Sequence, residues 1–117
     1  MSRVFFTSAR TNTSESLIAK FGRLIESVGT GFISKGDLVA IKLHMGDEGT
    51  TNYVRPIYVR EAVERIKAKG GKPFLTDSTT LYGGMRANGV DYLNLAFRNG
   101  FSFDLSLIHI SEPTRPY

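Results

Sequence analysis

An α/β domain with a partial parallel, Rossmann-like sheet is the fold this sequence predicts, on three observations. Short apolar runs that read as strands alternate with segments whose apolar residues recur at helical spacing. One of the runs, Leu38–Leu43, is nearly unbroken in its hydrophobicity, as a strand covered on both faces is. The two longest polar loops, each containing glycine, follow strands. The expected order of elements is β-α-β-α-β-α with the start of a fourth strand, joined by right-handed helical crossovers.

Arg3–Ser8, RVFFTS, carries β-branched and aromatic residues at its centre and is the expected first strand. Leu17, Ile18, Phe21, Leu24, Ile25 and Val28 then form a helical stripe, which predicts a helix over Ser14–Val28 with Ser14 or Thr13 as N-cap and Gly29 past its end. Gly22 inside it permits close approach to the sheet, at a cost of about 1 kcal/mol relative to alanine. A Lys35-Gly36-Asp37 turn leads into the Leu38–Leu43 strand, which Lys42 interrupts at its carboxyl end. After the loop HMGDEGTTN, Pro56 suits the first turn of a helix with Val59, Ala62, Val63 and Ile66 inward, stopped by Gly70-Gly71. On its solvent face Arg60 with Glu64, and Glu61 with Arg65, stand four apart and can pair. Pro73–Thr76, ending at Asp77, is the next strand. Asn88 and Asp91 resemble a capping pair for a short helix with Val90, Leu93 and Phe97 on one side, and Phe101 and Phe103 should begin the fourth strand.

The 117 residues suffice for one domain with a core, and 41% hydrophobic with 22% charged residues is ordinary for a globular protein. No cysteine is present, so disulfides, thiolate metal sites and a cysteine nucleophile are excluded within these residues. A net charge of +4 is spread among acids, which favours a solvated surface over a nucleic-acid footprint. No apolar run reaches membrane-spanning length and the N-terminus lacks a secretory pattern, so no membrane association and a cytoplasmic location are expected. The last stretch, Leu105–Tyr117, breaks the alternation with no strand or helix completing. It resembles translated sequencing-adapter or vector sequence read in frame after a truncated coding region, so residues 1–104 are taken as the N-terminal part of a truncated domain.

In open parallel sheets ligands bind outside the carboxyl ends of the strands. Here that rim comprises the loops His44–Arg55 and Asp77–Asn88, and the ligand-binding candidates are Lys42, His44, Arg55, Asp77, Ser78, Thr80 and Tyr82. Lys42 ends an apolar strand, so it either meets an anion or snorkels to solvent. His44, two residues on, is a candidate acid/base group or a structural histidine. Asp77 can ligate magnesium, orient Lys42 or His44, or cap the loop after it. Asp47 and Glu48 read as solvated acids more readily than as cation ligands. Neither common nucleotide fingerprint is present, and no Ser-His-Asp arrangement can be assigned. No catalytic residue is identified, and no metal site is expected within these residues.

At VAIKLHMGDEGTTNYVRP and GGKPFLTDSTTLYGG the sequence resembles the N-terminal part of the domain-of-unknown-function 362 (DUF362) family. The family pattern falls on Lys42, His44, Gly46, Arg55, Pro56, Asp77, Thr80, Leu81 and Tyr82. The resemblance implies a longer α/β protein, often followed by a ferredoxin-like module whose cysteines bind two 4Fe-4S clusters, and hence a redox or electron-transfer role. With no cysteine here, clusters would belong to that module, the expected partner from the rest of the chain. The alternative is a non-redox domain that binds a small anionic ligand or metabolite at the rim.

Overall fold

The computed structural model describes residues 1–102 and 107–111. Helices α1 (Leu17–Val28), α2 (Pro56–Ala68) and α3 (Gly89–Arg98) alternate with strands β1 (Leu38–Lys42), β2 (Lys72–Ser78) and β3 (Leu107–Ser111). The strands form one parallel sheet in the order β1-β2-β3, with Ile41 beside Leu75 and Leu75 beside Ile108. Side chains one row apart alternate faces, so this row faces the core, and the next inward row on β2 and β3 holds Asp77 beside Ile110. The core itself gathers Met45, Val59, Val63, Leu75, Tyr92, Ala96, Phe101 and Ile108. Among the described residues no helix is long and apolar enough to cross a membrane.

The α/β class and the parallel order are as expected; several elements are not. Arg3–Ser8 forms no strand: Val4 and Phe6 are 89% and 87% exposed, and the segment runs along α1, where the Lys20 ammonium donates to the Ser8 and Arg10 carbonyls. Strand preference expresses itself only against a pleated, half-buried surface, and none is offered there. Helix α1 starts late because the Asn12 side-chain oxygen takes the Ser14 and Glu15 amides, leaving Ser16 Oγ to cap Ala19 N–H at 3.1 Å. Gly22 permits close approach to α2 rather than to the sheet: a Cβ there would lie 2.3 Å from the tips of Arg65 and Glu61.

Strand β1 is not covered on both faces. Val39 and Ile41 are half buried while Leu38, Ala40 and Lys42 are exposed, the alternation of a strand with one open face. In α2 the expected inward residues Val59, Val63 and Ile66 are buried, and Glu61 pairs with Arg65 at 2.8 Å. In α3 the Asn88 cap on Asp91 N–H is present at 2.9 Å, but the buried face is Tyr92, Leu95 and Ala96, with Val90 and Phe97 exposed. The helix is turned so that the Tyr92 hydroxyl reaches β2 and the β1 loop. Phe101 is buried without starting a strand, and Phe103 lies outside the described residues. A strand does complete within the stretch set apart as a tail: β3, where Ile108 is buried and His109 exposed, an alternation that suits a sheet edge. The rest of that stretch, residues 105–106 and 112–117, lies outside the described residues.

Candidate functional site

Parallel strands end together, so the loops after β1 and β2 meet at one edge of the sheet, and Asp77 stands at their junction. It is 6% exposed because it occupies the inward row of the central strand. A buried carboxylate needs partners, and three side chains converge on it. Lys42 Nζ lies 3.1 Å from Oδ1, the Tyr92 hydroxyl donates to Oδ2, and Arg86 Nη2 lies 3.6 Å from Oδ2. Burial pushes the Asp77 carboxyl up, but the Tyr92 hydroxyl, the Ser78 amide and Lys42 outweigh it and hold it below the ordinary carboxylate value. Asp77 is therefore an anion at neutral pH.

Tyr92 is fully buried and ties α3 to both loops, accepting the Met45 amide at 3.2 Å while donating to Asp77. Burial and the carboxylate beside it push its phenol up to about 12, so it stays a proton donor. Arg86, with 12% of its side chain exposed, crosses from the β2 loop to the β1 loop. Its Nη1 donates to Asp47 Oδ1 at 3.3 Å and to the Tyr82 hydroxyl at 3.4 Å, and its guanidinium stacks 5.3 Å from the Tyr92 ring centre. Burial opposes its charge, but Tyr92 and Asp47 outweigh this and raise its pKa. Asn99 closes the frame from the end of α3, donating to the Met45 carbonyl at 2.8 Å.

Outside this buried frame lies an open cleft of about 570 Å³ bordered by Lys42, Leu43, His44, Asp47, Asn52, Tyr53 and Val54. Lys42 is 72% exposed, so it carries its charge into the cleft while one of its three N–H groups rests on Asp77. His44 Nδ1 accepts the Gly46 amide at 2.9 Å, which places the proton of the neutral ring on Nε2, 3.5 Å from Asp47 Oδ2. Gly46 makes this turn with φ +92°, and a Cβ there would strike Asn99 and Tyr53.

The structure thus brings Lys42, His44 and Asp77 to one edge and leaves the other candidates around it. Ser78 is exposed at the end of β2. Thr80 braces its own loop, its amide bonding the Arg86 carbonyl and its hydroxyl the Tyr82 carbonyl. Tyr82 is 64% exposed and touches Arg86. Arg55 is the exposed N-cap residue of α2, makes no side-chain cap bond and does not border the cleft. Among the described residues no three acidic or histidine side chains group closely enough to hold a metal ion. Tyr92 went unrecognised as a site residue. Its signal was present: Tyr92, Leu95 and Ala96 also share one helix face, and a tyrosine on a buried face needs a hydroxyl partner.

The family model described as "Domain of unknown function (DUF362)" matches residues 39–106, more than half of the chain and both loops of the site. The chain belongs to the DUF362 family. No curated protein and no solved structure matches it. The matched DUF362 segment contains every cleft-lining residue together with Asp77, Arg86 and Tyr92, whereas α1 and the residues before it lie outside the match.

Proposed function

We propose that this DUF362 domain binds a small anionic ligand, a phosphate or carboxylate, in the cleft at the carboxyl edge of its sheet. The observation that carries the reading is Lys42: an ammonium at the mouth of the cleft, oriented from beneath by a buried carboxylate and retaining donors without a partner among the described residues. Asp77 and Asp47 balance Lys42 and Arg86, so the frame holds itself together without a ligand. The division of labour follows from exposure. Arg86 is buried and committed to the frame, whereas Lys42 is exposed and free to change partners. The Asn52 amide and the His44 Nε2–H supply neutral donors on the same cleft. Thermal-shift screening against phosphates and carboxylates should give a stabilising hit that Lys42→Ala abolishes; equal shifts in both proteins would count against the reading.

The motif resemblance supports a second reading for a longer chain: a redox or electron-transfer protein in which a ferredoxin-like module holds 4Fe-4S clusters and this α/β part presents its rim to a substrate or to that module. Iron and sulfide analysis of an anaerobically purified longer chain tests it, and an absence of both would remove it.

A further inference from the structure

The apolar face of α1 has an unfilled space beneath it. Phe21, Leu24 and Ile25 of α1, with Phe32, Val39 and Ile41, border an open apolar groove of about 380 Å³. Its floor is the edge of β1 turned away from β2. Alternate residues of a parallel strand direct their N–H and C=O groups to opposite neighbours. Because the Asp37 carbonyl accepts from Lys72 and the Leu43 amide donates to Thr76, Leu38, Ala40 and Lys42 direct theirs to the free edge.

Chain topology names the occupant. Right-handed crossovers joining β1, β2 and β3 in consecutive order place α2 and α3 on one face of the sheet, each new strand adding on the same side. Helix α1 lies beside α2, with Phe21 edge-to-face on Tyr58 at 5.1 Å and Glu26 3.6 Å from Arg65. It therefore stands where the crossover helix of a preceding strand belongs, and that strand's place is the free edge of β1. The chain before α1 holds one strand-like segment, Arg3–Ser8, connected through residues 9–16. Val4 and Phe6, two apart and both exposed, would share the face turned to the groove.

We infer that Arg3–Ser8 docks into this groove as a fourth parallel strand on β1, and that its course along α1 is an undocked state of the same segment. Exposed hydrogen bonds hold the undocked course, with the Lys20 ammonium donating to the Ser8 and Arg10 carbonyls. Being parallel, the docked strand ends at the same edge as β1 and delivers Ser8 and Arg10 beside Lys42, adding a cation to the cleft. That last consequence rests on the ligand-site reading; the docking does not.

Amide hydrogen exchange on the full chain reads the docking directly. The Ala40 and Lys42 amides should exchange roughly 100-fold or more slowly than in a Val4→Asp, Phe6→Asp double variant, with the Leu75 amide of the central strand unchanged. Equal rates in the two proteins would overturn the inference. So would protection that grows with protein concentration alongside a sedimenting dimer, because a second copy would then occupy the edge. If the double variant fails to fold, Lys20→Ala serves: it removes the undocked tether and should slow Ala40 and Lys42 exchange severalfold, and no change would refute docking.

Discussion

Replacing Asp77 by asparagine keeps the shape of the side chain and removes its charge. The cost can be worked from its partners. Lys42 is mostly exposed and swings into water, so its loss amounts to about 0–1 kcal/mol. Tyr92 is fully buried; it keeps an oxygen to donate to, but a charge-assisted bond becomes a neutral one, a loss of about 1 kcal/mol. Arg86 is largely buried and keeps one carboxylate among the described residues, Asp47, itself half exposed, beside the Tyr82 hydroxyl, so the lost charge adds about another 1 kcal/mol. Urea unfolding should therefore show Asp77→Asn less stable by about 2–3 kcal/mol at neutral pH. The pH dependence has a definite sign. The folded carboxyl titrates below its ordinary value of 3.8, so its contribution is present above pH 3.8 and is lost as pH falls further through the folded value. The gap between the two proteins should close in that acid window. A gap below about 0.5 kcal/mol at neutral pH, or one that persists in acid, would refute the reasoning.

The phenol of Tyr92 gives the alkaline counterpart: its contribution is present below pH 10.0 and lost as pH rises to about 12, so across that window the wild-type chain should lose more stability than Tyr92→Phe in urea titrations. Leu75→Ala empties a fully buried position on the central strand and should cost about 2–5 kcal/mol in the same assay. Gly46→Ala combines a positive φ with a Cβ 2.4 Å from Asn99 Nδ2 and 2.7 Å from Tyr53 Cδ1, so it should destabilise by more than about 1 kcal/mol and change tyrosine fluorescence. At Gly22→Ala the atoms nearest the new Cβ are the flexible tips of Arg65 and Glu61, and the gain in helix propensity offsets the displaced pair, so its unfolding free energy should stay within about 1 kcal/mol of wild type.

Legibility of the fold in the sequence followed the range of the interaction involved. The cap at Asn88, Pro56 at the first turn of α2 and the stripe through Val59, Val63 and Ile66 are local, and each stands where the spacing puts it. The face of α3 could not be chosen by periodicity, because Val90, Leu93 and Phe97 form as good a stripe as Tyr92, Leu95 and Ala96. A hydrogen bond across fifteen residues to Asp77 selects the second. Arg3–Ser8 has strand chemistry and lacks a ladder in this arrangement, whereas Leu107–Ser111, which closes no pattern within its own stretch, finds the edge of β2. The gathering of Lys42, His44 and Asp77 was readable because parallel strands end together. The bridge from Arg86 to Asp47 depends on side-chain reach between two loops, which spacing does not encode.

Calorimetric titration of the wild-type chain and Lys42→Ala with the best anion from the screen tests the central claim most directly. Lys42 supplies a charge-assisted contact worth about 1.5–3 kcal/mol, so the variant should bind roughly 10- to 100-fold more weakly while unfolding at nearly the same urea concentration. Equal affinity in the two proteins would place any ligand elsewhere and contradict the account of this cleft.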